Sequence, residues 1–180
     1  MLLTIENGID LTPCLSFLMR SFVCSCAVIG SKGCGKSTLI QKLSGLTTDE
    51  FGLPTFKLGT TQITVEFLSY SSLGVVPNQT TCVAVLYDTT RAESFEWAKE
   101  QIQVLAKHIE LFPVRFLIGT HGDLRSQRKV SYQEAAQQND LFSGMWIETG
   151  KGQSEKRLQN DLGEHIFEYV DSVCRNSVYF

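Results

Sequence analysis

The stretch that decides the fold is Gly30-Ser31-Lys32-Gly33-Cys34-Gly35-Lys36-Ser37, preceded by the apolar run Val23 to Ile29 and followed by Leu39, Ile40 and Leu43 at helical spacing. Its fixed positions fit G-x-x-x-x-G-K-[ST]. Glycines are needed because the chain must turn with positive φ and pass close to a ligand, and a Cβ would block one or the other. Backbone N–H groups then face inward at the mouth of a helix whose dipole adds partial positive charge. The spacing therefore predicts a strand over 22–29, a phosphate-cradling loop and a helix over 36–44. Lys36 is expected to reach the β- and γ-phosphates, and Ser37 to give its hydroxyl to Mg²⁺, a cation that usually takes one or two protein ligands and completes its shell with phosphate oxygens and water.

Composition bounds the rest. A chain of 180 residues, 43% of them apolar, is expected to form one domain that buries about 70% of its unfolded surface. The net charge is −3 and the pI near 5.6. No basic cluster is present to serve as the footprint of a nucleic-acid binder, so nucleic acid is not expected as a partner. The cysteines at 14, 24, 26, 34, 82 and 174 contain no C-x-x-C pair and are expected to be reduced and intracellular. No apolar run approaches the length of a membrane span, so no insertion of this chain into a membrane is expected.

Along the chain, residues 1–21 show scattered apolar positions without a sustained period and are expected to be a lead-in or the end of a preceding domain; the domain proper is 22–180. Ile63, Val65 and Phe67 alternate with Thr64 and Glu66, the period of a half-buried strand. Cys82 to Tyr87 and Val114 to Ile118 are continuous apolar runs, which suits parallel strands covered on both faces. Thr90-x-x-Glu93 and Ser131-x-x-Glu134 have the form of capping boxes. The first is expected to open a helix with Phe95, Ala98, Ile102, Leu105, Ala106 and Ile109 inward, the second a short helix to about Gln138. Met145 to Glu148 reads as a last strand, and 154–174 as a closing helix. The fold class expected is α/β: a doubly wound, mostly parallel sheet with helices on both faces, of the P-loop NTPase type. In such sheets ligands sit beyond the carboxyl ends of the strands. The loop at 30–37, Asp88, the 119–123 turn and the 149–152 turn all follow strand ends and should share one rim.

Over residues 22–175 the chain resembles the Ras-like small GTPases. Thr120-His121-Gly122-Asp123 stands where that family has N/T-K-x-D, and Thr149-Gly150-Lys151 where it has a serine-alanine-lysine loop. The resemblance implies that GTP and GDP are the ligands, with Mg²⁺. It also implies that Ser31, Lys32, Gly33, Cys34, Gly35, Lys36, Ser37 and Thr38 hold the phosphates, while Thr120, His121, Asp123, Thr149, Gly150 and Lys151 hold the base. A carboxylate at 123 can accept from guanine N1–H and the 2-amino group, donors adenine lacks. A P-loop kinase or ATPase suits Gly35-Lys36-Ser37 but not Asp123. His121 in place of lysine departs from the pattern. The switch threonine that would complete the metal site with Ser37 is Thr55, Thr60 or Thr61, with the Pro-Thr pair favouring Thr55. Within the superfamily the chain is most similar to the C-terminal GTPase domain of the mitochondrial Rho (Miro) proteins. The likeness is carried by Ile9-Asp10-Leu11, by Phe22-Val23-Cys24 with Val28-Ile29 running into the loop, and by Val85-Leu86-Tyr87-Asp88 with Ser94-Phe95-Glu96. That implies protein effectors or regulators as partners and a place on the cytoplasmic side of the mitochondrial outer membrane. The calcium-binding EF-hands, second GTPase domain and anchor of such proteins are not among these residues, so a fragment or a divergent relative is expected.

Two further positions mark a departure. Where the family carries aspartate-x-x-glycine-glutamine, the register gives Ser71-Ser72-Leu73-Gly74-Val75, so the glycine stays while the metal-holding aspartate and the water-positioning glutamine become Ser71 and Val75. The segment from Thr61 to Asp88 is short, which implies that an antiparallel strand or most of the second switch is trimmed. Hydrolysis is expected to be slow. The alternative expectation is a pseudo-GTPase, a fold kept as an interaction scaffold with little nucleotide cycling.

Overall fold

The central strand is β1, Arg20–Gly30, and the rest of the sheet is laid down on both of its edges. The computed structural model describes residues 20–44, 55–58, 61–77, 80–107, 111–152 and 155–177. The lead-in up to residue 19 lies outside them, while Arg20 and Ser21, expected in the lead-in, already belong to β1. The remaining strands are β2 (Thr55–Leu58), β3 (Thr61–Tyr70), β4 (Cys82–Asp88), β5 (Val114–Thr120) and β6 (Met145–Glu148), in the order β2-β3-β1-β4-β5-β6. Every neighbouring pair is parallel except β2 with β3. Among the described residues four helices accompany them: α1 (Lys36–Ser44), α2 (Ala92–Leu105), α3 (Tyr132–Phe142) and α4 (Glu155–Ser177).

The continuous apolar runs explain the layering, because a strand covered on both faces cannot alternate. Every residue of β4 is buried. On one face Cys24, Cys26, Val28, Ala84, Leu86, Phe116 and Ile118 pack with Leu39 and Leu43 of α1 and with Leu158, Leu162 and Ile166 of α4. On the other Ala27, Ile29, Val83, Val85, Tyr87 and Leu117 pack with Phe95, Ala98 and Ile102 of α2 and with Ala135 and Phe142 of α3. The buried cysteines 24, 26, 34 and 82 are free thiols, and Cys26 and Cys82 meet across β1 and β4 with their Sγ atoms 3.1 Å apart.

Several local readings change. Thr90 does not cap α2: the N-cap is Arg91, with no side-chain cap bond, because Thr90 instead donates from both its backbone N–H and its hydroxyl to Asp88 Oδ1, at 2.9 and 2.7 Å. Ala106, expected inward, is exposed just past the end of α2, and Ile109 lies outside the described residues. Ser131 and Glu134 do form a capping box, and α3 runs on to Phe142, four residues beyond expectation, because Phe142 is itself core. Of the two trimmed parts considered, the antiparallel strand is present but only four residues long. Residues 71–81 link β3 to β4, and the described ones include a 3₁₀ turn, Leu73–Val75.

Phe116 is fully buried between the layers, so Phe116→Ala should destabilise the fold by about 3–5 kcal/mol through lost burial and a residual cavity; chemical denaturation with an unchanged m-value is the measurement, and a loss under about 1 kcal/mol would contradict this packing.

Candidate nucleotide site

Strand register brings the site together before any ligand is considered. Gly30 lies beside Leu86, Asp88 beside Thr120 and Gly119 beside Glu148, so the loops after β1, β4, β5 and β6 leave from one rim. Between the first and third of these runs a direct bond: the Thr120 hydroxyl, buried at the end of β5, lies 3.0 Å from the Cys34 carbonyl and 3.1 Å from that of Tyr87.

In the phosphate loop Gly33 and Gly35 have φ of 79° and 91°. At Gly35 a Cβ would also press on the Thr120 methyl, 3.3 Å away, so both conformation and space require glycine there. Lys36 folds back along the loop, donating from Nζ to the Gly30 carbonyl (2.5 Å) and the Ser31 carbonyl (3.0 Å). Two of its three donors hold the ammonium over the cradle and the third is left for a ligand. Ser37 is exposed at the first turn of α1.

The base-side loops are laced to one another. Thr149 N–H donates to Gly119 O (2.7 Å) and Gly122 N–H to Thr149 O (3.0 Å). Gly150 packs so close to Asp123 that a Cβ would strike its Oδ1 and sit 2.7 Å from its backbone nitrogen. The two turns enclose, with Gly35, Thr38, Leu39 and Lys42, a cavity of about 400 Å³ whose remaining walls are Thr120, His121, Asp123, Leu124, Thr149, Gly150 and Lys151. That is the size of small-ligand sites, about 300–1,000 Å³. Thus the site residues expected at the two base-side turns all line one cavity, and it opens onto the C-terminal half of the phosphate loop.

A family model for the Ras family matches residues 69–160, just over half of the chain. The chain belongs to the Ras family. No curated protein matches it. The matched segment starts at the end of β3, so the phosphate loop lies outside it and its geometry is a separate observation pointing the same way. This Ras-family fold makes the chain a small-GTPase-like nucleotide-binding module.

His121 takes a different set of contacts from those open to a lysine. With φ of 59° it occupies the left-handed region, which a non-glycine residue adopts at a cost of about 1–3 kcal/mol and which collects at functional sites. Its carbonyl accepts from Thr89 Oγ1 (3.1 Å). Nδ1 lies 3.1 Å from Thr120 Oγ1 and 3.3 Å from Asp88 Oδ1. Both oxygens are therefore within hydrogen-bonding reach of the same ring nitrogen.

Asp123 is exposed on the cavity wall and its carboxyl is held below the usual carboxylate range, first by the Lys151 backbone N–H and then by its own backbone N–H and the charges of His121 and Lys151. Beneath the same turn Arg128 makes a bidentate pair with Glu148 (2.8 and 2.6 Å), its guanidinium 4.0 Å over the Tyr132 ring. A Cβ on Gly122 would sit 3.2 Å from Glu148 Oε2, so this ion pair is the floor of the base-side turn. Trp146 Nε1 donates to Tyr87 Oη (3.1 Å), and burial pushes the Tyr87 phenol up. None of these partners could be found by spacing, since Arg128 and Glu148 lie 20 residues apart.

For a metal the fit is partial. Ser37 is placed to give one oxygen. Thr55, the expected second ligand, is not brought to it: it pairs with Thr64, which is level with Val23, whereas the rim end of β3 is Tyr70 beside Ile29. At ~3.3 Å per residue this sets Thr55 about 20 Å below the phosphate loop. Thr61 lies farther down, beside Arg20, and Thr60 is outside the described residues. Ser71 follows Tyr70 at the rim, an exposed hydroxyl where a carboxylate would strengthen the site, and Val75 is 56% exposed in the 3₁₀ turn. Among the described residues no cluster of acidic, His or Cys side chains is suited to a metal.

Two outcomes test this geometry. Gly150→Ala should displace the Asp123 turn, lower thermal stability and weaken guanine-nucleotide binding by about tenfold or more in protein that is still folded; retention of full affinity would mean the two turns do not share a ligand. For pH, the binding form of Asp123 is ionised and its folded pKa is depressed, so its contribution is complete above the unfolded value and disappears only as pH falls through the lower folded one. Titration calorimetry should find guanine affinity flat from pH 7 to about 5, with an earlier fall contradicting the assignment.

Proposed function

We propose that this chain binds GTP and GDP, with Mg²⁺ held by Ser37 and phosphate oxygens, and that it acts as a slowly hydrolysing switch or partner-docking module. The observation that carries the reading is the Thr120 bond to Cys34, which joins the phosphate loop to a cavity lined by Asp123. The nucleotide fits as follows: the phosphates lie on the backbone N–H groups from Ser31 to Thr38 under the Lys36 ammonium, and the base enters between His121 and Lys151. Asp123 accepts from N1–H and the 2-amino group, and a backbone N–H of the 149–151 loop meets the guanine carbonyl. Adenine would leave the carboxylate without donors, which is a strong ground for rejection.

Slow turnover follows from two residues. Val75 has no group to orient an attacking water, and Ser71 supplies no carboxylate behind the metal, so positioning and charge stabilisation are both weakened. The same two residues favour the second reading, an interaction scaffold with little or no nucleotide cycling, its nucleotide weakly or permanently bound. From the resemblance to the Miro C-terminal GTPase domain we extend the proposal to work at the cytoplasmic side of the mitochondrial outer membrane with protein effectors or regulators. Among the described residues no helix is long and apolar enough to cross a membrane, so in this proposal attachment comes from elsewhere.

Chromatography of nucleotide released from the purified chain, followed by affinity measurements with GTP, GDP and ATP, decides between these. Lys36→Ala should abolish triphosphate binding, and Asp123→Ala should cost guanine affinity about a hundredfold while leaving ATP binding as weak as before; equal losses for both nucleotides would overturn base reading by Asp123. Single-turnover GTP hydrolysis should run below about 10⁻⁴ s⁻¹, slower than the roughly 3–5 × 10⁻⁴ s⁻¹ of an unaided small GTPase. Faster turnover would refute the impairment, and a chain with no bound nucleotide and no measurable affinity favours the scaffold.

A further inference from the structure

Arg91 stands outside every motif read from the sequence, yet it lies against the phosphate loop. Its Nη1 donates to the Lys32 carbonyl at 3.2 Å, and a Cβ on Gly33 would lie 3.2 Å from the same nitrogen. Among the described residues no carboxylate pairs with it. One of its five N–H donors is used in this contact, and the fork geometry of the rest suits phosphate oxygens.

The loop has a direction. The base cavity opens on Gly35 and Thr38, so a phosphate chain leaving a base held there runs toward Ser31, Lys32 and Gly33. At that end the Lys36 ammonium is anchored on the Gly30 and Ser31 carbonyls. The Ser31 hydroxyl is buried there without a hydrogen-bond partner, which leaves a polar group unsatisfied unless a ligand meets it. Arg91, the buried Ser31 hydroxyl and the Lys36 ammonium are thus all found at the Gly30–Gly33 end of the loop.

We propose that Arg91 and Ser31 form, with Lys36, a terminal-phosphate subsite that selects triphosphate over diphosphate and replaces part of the charge that a carboxylate-held Mg²⁺ supplies elsewhere. The proposal rests on the guanine-nucleotide reading of the rim. Its energetic logic is that the position corresponding to the metal's carboxylate is Ser71, so the metal is weakly held, while a guanidinium tethered to the loop is present whether or not the metal is bound. Selection for the triphosphate should therefore survive chelation.

The test is equilibrium binding of GDP and of guanosine 5′-(β,γ-imido)triphosphate to the full chain, with Mg²⁺ and with EDTA, for wild type, Arg91→Ala, Arg91→Lys and Ser31→Ala. The triphosphate-to-diphosphate affinity ratio of the wild type should be retained in EDTA within about threefold, fall about tenfold in Arg91→Ala, fall less in Ser31→Ala, and recover in part in Arg91→Lys. A ratio unchanged by Arg91→Ala, or parallel losses for both nucleotides, would make Arg91 a prop for the Lys32 carbonyl and overturn the subsite. Collapse of wild-type selectivity in EDTA would do the same. Binding of neither nucleotide by the wild type would defeat the guanine reading itself, whereas GDP binding without triphosphate selectivity defeats only the subsite.

Discussion

The arrangement depends on a hydroxyl at the end of β5. Thr120 Oγ1 reaches the Cys34 carbonyl in the phosphate loop, the Tyr87 carbonyl at the end of β4 and the His121 ring, so three connections leaving the sheet share one buried junction. The hydroxyl's single proton serves one of the two carbonyls at a time, so the junction ties the connections together only while their ends stay within reach of it. Loss of the hydroxyl would remove the direct bond between the phosphate loop and the base-side turn, a cost of about 1 kcal/mol.

Around that junction the chain is reinforced by neighbours that do not touch a ligand. The Arg128–Glu148 pair, mostly buried at 14% and 11% exposure, forms a floor for Gly122. Glu148 precedes Thr149, whose backbone is bonded to Gly119 and Gly122. A pair of this burial repays its desolvation only with bidentate geometry and further contacts, and both are present: two short hydrogen bonds and the Tyr132 ring. Tyr87 and Trp146 add a second tie between β4 and β6. The rim is therefore rigid on the base side. On the opposite side the link from Ser71 to Thr81 is brief, and its described residues include the 3₁₀ turn Leu73–Val75.

Much of this was legible in the residues alone. The glycine spacing of 30–37 and the apolar run before it specify a strand, a loop with positive φ and a helix, because each is a local requirement of backbone sterics and periodicity. The unbroken runs at 82–87 and 114–118 declare parallel strands covered on both faces, since only such strands lack alternation. The Ser131 box declares the start of α3 for the same local reason. From these a mostly parallel sheet and loops leaving one shared rim can be anticipated.

What the tertiary structure decided are matters of register and of contacts between residues far apart in the chain. Thr90 has the letters of a helix cap but bonds to Asp88, because a carboxylate held two residues away competes for the same donors. Thr55 has the neighbour expected of a metal-binding threonine but lies low on the sheet, because the pairing of β2 with β3 places it beside Thr64 and the sequence around Thr55 does not encode that register. Arg91 meets the Lys32 carbonyl across 59 residues, and Glu148 meets Arg128 across 20. Such pairings depend on how layers close over a sheet, and no local period or spacing encodes them.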